Sequence, residues 1–140
     1  MDRYPACATR LRTRLAVLTR PRLLVLASAL WTLFVWATRV RNIGNDDTLG
    51  GGEQAFAYLV CAVFIGVALV MLVMLAGLWS ARLRVLLPAF AVATVAWWAV
   101  RSVLILVHDH SAAFRVVHIG LGIISSLLAV AAWLAARVRS

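Results

Sequence analysis

Charged and strongly polar residues are sparse enough along this chain to punctuate it. They leave four apolar runs, Leu23–Thr38, Ala55–Trp79, Val85–Val107 and Phe114–Ala136. The first, LLVLASALWTLFVWAT, covers roughly 24 Å at about 1.5 Å per residue, slightly short of a hydrocarbon core of about 30 Å. Arg22 and Arg39 flank it, and their long stems extend the usable span to about 22–40. The second, 55–79, holds no charge and is long enough to cross with tilt. The third, 85–107, carries Pro88 in its expected first turn, where a missing N–H costs little, and a deep arginine, Arg101. The fourth, 114–136, opens with Arg115 and His118. Short connections force neighbouring helices to run antiparallel. The predicted fold is all-α: an antiparallel four-helix transmembrane bundle over 21–140, preceded by a short basic segment over 1–20.

Composition agrees with that pattern. The 140 residues are 64% hydrophobic, well beyond the roughly 45–50% of soluble domains, so lipid has to solvate much of the surface. Mean hydropathy is +0.96. A cleaved signal peptide is the other reading of the basic front and first run. No small-x-small site follows that run and three further spans do, so the helix is expected to be retained.

Charge then orients the spans. All fourteen basic residues are arginine, against five acids, for a net charge of +9. In a soluble chain such an excess would suggest nucleic acid; here the arginines sit at the ends of apolar runs, where they set topology and meet anionic headgroups. Arg3, Arg10, Arg12, Arg14 and Arg20, then Arg82 and Arg84, then Arg137 and Arg139 fall on one side. On the other side Arg39 and Arg41 are offset by Asp46, Asp47 and Glu53, and Arg115 by Asp109. The positive-inside rule places both termini in the cytoplasm. Exclusive use of arginine, with abundant Ala, Val and Leu, points to a GC-rich bacterial genome and hence a bacterial cytoplasmic membrane. The segment RLRTRLAVLTRPR reads as an amphipathic stretch on the inner leaflet, with Arg10, Arg12, Arg14, Arg20 and Arg22 touching headgroups; a docking arm for a protein partner reads equally well.

The candidate chemistry is confined to a few positions. Arg101 lies seven residues before His108, hence about 10 Å deeper on the same helix face. A charge at that depth is costly unless paired or wetted, and its expected partners are Glu53, Asp46 or Asp47. Snorkelling to the headgroups is the plain alternative. His118 heads a small polar stripe with Gly122 and Ser125 or Ser126. His108 and His110 flank Asp109, and with His118 they could offer three nitrogens and a carboxylate to zinc or copper, although no H-E-x-x-H is present. Histidines at a noncytoplasmic surface could also respond to pH, since imidazole changes charge near neutrality. Glu53 and Gln54 suit a helix N-terminus, and Gly50–Gly52 permit positive φ. Trp36, Trp79 and Trp133 are expected near interfaces, and mid-span Trp97 and Trp98 could wall a pocket. Ala62/Gly66 and Gly122/Ser126 each match small-xxx-small, serving either a homo-oligomer or packing within one bundle. Cys7 and Cys61 form no C-x-x-C motif and read as free thiols.

WATRVRNIGNDD and HDHSAAFRVVHIGLGIISS together resemble small four-span integral membrane proteins of actinobacteria. Those proteins have no assigned activity, so the resemblance implies an architecture and no function. Small multidrug exporters are of comparable size, but their pattern requires a membrane-embedded Glu in the first span, and Leu23–Thr38 has no acid. With no deep acid and no nucleophile constellation, the chain reads as a non-catalytic accessory or scaffolding membrane protein. No cofactor or nucleic acid is implied; the partners expected are the lipid bilayer and a membrane-protein partner or a second copy. The alternatives are a small transporter or proton-coupled protein using Arg101, His118 and the outer acids, and a metal- or haem-binding redox protein.

Overall fold

The computed structural model describes residues 5–76 and 81–137, with side chains over 20–76 and 82–137. It contains four helices, α1 (Pro5–Gly44), α2 (Gly51–Ala76), α3 (Ala81–Val107) and α4 (Ala112–Arg137), and no strand among the described residues. All four contain segments long and apolar enough to cross a bilayer: Arg20–Gly44, Gly51–Ala76, Arg82–Val107 and Ala112–Arg137. The side chains of Arg10, Arg12 and Arg14, together with Cys7, Trp79 and Arg139, lie outside the described residues; Arg20 and Arg22 are exposed.

The helices overrun the apolar runs, because backbone hydrogen bonding continues where side-chain hydropathy stops. The basic segment and the first span are one continuous helix. At its far end α1 closes through i→i+3 bonds, from Asn45 N to Asn42 O and from Asp46 N to Ile43 O, both 3.3 Å. α2 begins at Gly51 instead of Ala55, so Glu53 falls in its first turn, where the helix dipole favours an acid. None of Gly50, Gly51 or Gly52 takes a left-handed backbone. α3 begins at Ala81, which moves Pro88 from the expected first turn into the helix interior, at the loss of one backbone hydrogen bond.

α1 packs along α2 and α4, and α4 along α3, whereas α2 and α3 barely touch. The chain is therefore arranged in space as α2–α1–α4–α3, with a weak seam where the ends of that series meet. Small residues allow the close approaches. Ala29, Ala68, Ala129 and Ala132 are fully buried, and Trp98 covers Gly122 so tightly that a Cβ there would meet the indole Cε3 at 2.9 Å. Gly122 thus serves packing inside one bundle. Ala62 is exposed and nothing lies within 4 Å of a Cβ built on Gly66, so that pair remains on the outer surface.

A few polar bonds fix the interior. Trp31 Nε1 donates to Ser125 Oγ at 3.0 Å between α1 and α4, and Thr32 Oγ1 bonds back to the Ser28 carbonyl at 2.8 Å. Trp36 is buried at mid-bundle, stacked on Phe64 with centroids 4.3 Å apart and planes 6° apart. Trp97 closes against both rings at 5.9 and 6.2 Å, so α1, α2 and α3 share one aromatic cluster. Trp36 is therefore a core residue and not part of an interfacial belt. Trp133 is half-buried, with the Arg137 guanidinium 5.0 Å above its ring. Apolar side chains cover the outside instead: Val73, Val85 and Val116 are each more than 70% exposed. Such a surface is stable only against lipid acyl chains.

Candidate functional site

Two connections, Asn45–Gly50 and His108–Ser111, turn the chain at the same end of the bundle, the hairpin end. Between that end and the aromatic cluster lies a cavity of about 600 Å³, within the range of roughly 300–1,000 Å³ typical of small-molecule sites. Every helix contributes to its wall. α1 supplies Trp36, Arg39 and Asn42, α2 supplies Glu53, Ala57 and Val60, α3 supplies Trp97, Trp98 and Arg101, and α4 supplies His118. α2 and α3, which barely touch, face each other across it, while α1 and α4 pack together.

The polar groups are graded along the helix axes. Trp36 and Trp97 sit deepest, Arg39 and Arg101 each about one turn nearer the hairpin end, and Asn42 a further turn out. Arg39 and Arg101 bear on one another electrostatically, as two like charges facing one space. Neither makes a hydrogen bond or ion pair among the described residues. Glu53 shares the wall with Arg101 without pairing to it. Asp46, also expected as a partner, is committed to its own loop: its carboxylate accepts from Thr48 N at 3.1 Å and from Thr48 Oγ1. These bonds hold the Asp46 carboxyl below its ordinary value, the side-chain bond from Thr48 first.

His118 is fixed by its own helix. Its Nδ1 lies 2.9 Å from the Phe114 carbonyl, which can only accept, so Nδ1 carries the proton and Nε2 is left available. The imidazole also stacks on Phe114, with centroids 3.8 Å apart, and His110 sits on the same phenyl ring at 4.6 Å. A phenyl ring therefore lies between the two imidazoles. His108 turns toward the surface, Nδ1 donating to Leu104 O at 2.8 Å, and Arg115 Nη2 clasps the hairpin by donating to His108 O at 3.2 Å.

Of the candidate polar residues, Arg101, His118 and Glu53 share the cavity wall. Asp46, Asp47, His108, Asp109 and His110 are exposed at the hairpin surface and do not line it. Among the described residues no group of three or more His, Cys, Asp or Glu could hold a metal ion. Sequence reading passed over Arg39 and Asn42. Arg39 was absorbed into the topology count, although Trp36, Arg39 and Asn42 recur every three residues along one side of α1.

The fold defines a multi-pass integral membrane protein in contact with the lipid bilayer. No family model, curated protein or solved structure matches the chain.

Proposed function

We propose that the protein is a non-catalytic accessory membrane protein that holds a ligand in the cavity at its hairpin end, with both termini in the cytoplasm. The observation carrying this reading is the cavity itself: about 600 Å³, apolar and aromatic below, with two guanidinium groups above that have no partner among the described residues. Half-buried charges within a span and without a partner disfavour an empty site and favour a filled one. Arg20 and Arg22, Arg82 and Arg84, and Arg137 all lie toward the opposite end of the bundle, which supports a cytoplasmic assignment for that end. A bacterial cytoplasmic membrane fits this charge pattern.

The test is gentle purification from the native membrane followed by mass spectrometry of the intact complex. A retained small molecule or lipid, lost on Ala57→Phe, is expected; an unfilled cavity in every preparation would overturn the reading. A second reading, a small transporter, draws on Arg101, His118 and Glu53 facing the same space. Solute flux through liposomes containing only this protein, abolished by Arg101→Gln, would establish transport and displace the accessory role.

A further inference from the structure

The cavity's shape and charge narrow what it holds. On α2 the wall runs from Gly52 to Val60 and on α1 from Phe34 to Asn42, about 12 Å along each helix, close to the depth of one leaflet of a core of about 30 Å. Below, Trp36 and Trp97 lie on the buried Phe64 and close the floor toward the other leaflet. At the side, the wall residues of α2 and α3 flank the seam along which those helices barely touch. Both helices present hydrocarbon to the outside: Leu59 and Val63 on α2 and Val100, Val103 and Leu104 on α3 are all exposed. A side approach between those two helices would be through lipid, whereas the charged part of the wall lies on the side of the hairpin end.

Charge completes the specification. Arg39 and Arg101 contribute two positive charges and Glu53 one negative, which leaves these three groups one positive charge in excess. Two guanidinium forks are suited to the oxygens of one phosphate, and Asn42 adds a neutral amide donor nearby. Phe56, Ala57 and Val60 offer only apolar side chains, and Trp97 an aromatic ring, to whatever continues below.

Resting on the ligand-holding reading above, we infer that the cavity binds one anionic phospholipid of the adjoining leaflet. The lipid reaches the site through the α2/α3 seam, its phosphate lies between Arg39 and Arg101, and an acyl chain rests on the tryptophan floor. Binding offsets the excess charge of Arg39, Arg101 and Glu53 and gives both guanidinium groups a partner that they lack among the described residues.

The experiment uses the full chain reconstituted in vesicles of equal parts phosphatidylglycerol and phosphatidylcholine, released into mild detergent and weighed intact. The expected result is one retained phosphatidylglycerol. Arg39→Gln and Arg101→Gln should each lower that retention about fivefold, as each arginine near an anionic group contributes about one such factor. Ala57→Phe should abolish retention with both arginines in place, which keeps the test valid if an arginine variant fails to fold. Arg82→Gln with Arg84→Gln, at the opposite end, should leave it unchanged. Equal retention of phosphatidylcholine would overturn the anionic class while sparing the ligand-holding reading. Displacement of the lipid by millimolar inorganic phosphate would overturn the lipid as source and assign the site to a soluble anion. Absence of any retained molecule, in vesicles and in native preparations alike, would refute both this inference and the reading beneath it.

Discussion

The contact between Gly122 and Trp98 offers the sharpest test of the bundle geometry. A Cβ added at Gly122 would meet Trp98 Cε3 at 2.9 Å, Cδ2 at 3.2 Å and Cβ at 3.4 Å. Carbon pairs prefer about 3.5–4.0 Å, so the two ring contacts are too close, while the third is ordinary contact. The indole has little freedom to yield, because it is buried and its own Cβ already lies in contact with the added carbon. Overpacking of this kind costs about 1–3 kcal/mol. Replacing glycine by alanine in a helix also returns about 0.8–1.0 kcal/mol of helix preference, which masks part of that cost. Gly120, on the same helix with nothing within 4 Å of its Cβ position, isolates the packing effect. Gly120→Ala should stabilise the protein by up to about 1 kcal/mol. Gly122→Ala should lie about 1–3 kcal/mol below Gly120→Ala, at roughly tenfold in the unfolding constant per 1.4 kcal/mol. Reversible unfolding in mixed micelles, followed by circular dichroism or steric trapping, measures the difference. Equal stabilities for the two variants would show that α3 and α4 do not approach as described.

Three further outcomes follow from particular side chains. Ser125→Ala removes the acceptor of the Trp31 indole and should cost about 0.6 kcal/mol, up to about 1.7, in the same assay; no loss would place the bond outside the folded state's stabilisation. The Thr94 hydroxyl is buried without a hydrogen-bond partner among the described residues, so Thr94→Val should be neutral or stabilising, by up to about 1 kcal/mol, and a clear loss would reveal a partner for it. Thr48→Ala removes the bond that most lowers the Asp46 carboxyl, so NMR titration should find that group higher, nearer the ordinary carboxylate range. Because the folded value is depressed, the loop's contribution from Asp46 is present above the ordinary carboxylate range and fades as pH falls through the depressed value; the variant should lose that acid dependence.

The one-dimensional pattern was sufficient for the architecture. Four runs of lipid-length hydropathy and short connections specify a helical membrane bundle, because in hydrocarbon each backbone polar group must be satisfied within its own helix. Hydropathy does not locate helix ends, which is why α2 reaches back to Gly51 and α3 to Ala81. It also says nothing about which helices touch. Lipid and protein interior are nearly alike as solvents for Leu or Val, so buried and lipid-facing positions on one span look the same in sequence. Arg101, His118 and Glu53 were individually conspicuous as polar residues in or beside spans. Only the weak α2/α3 seam, set by close packing of small residues elsewhere, brings them to one cavity. Arg39 illustrates the limit best: counted along the chain it is a topology signal, and its place beside Arg101 exists only once α1 is packed among the other three helices.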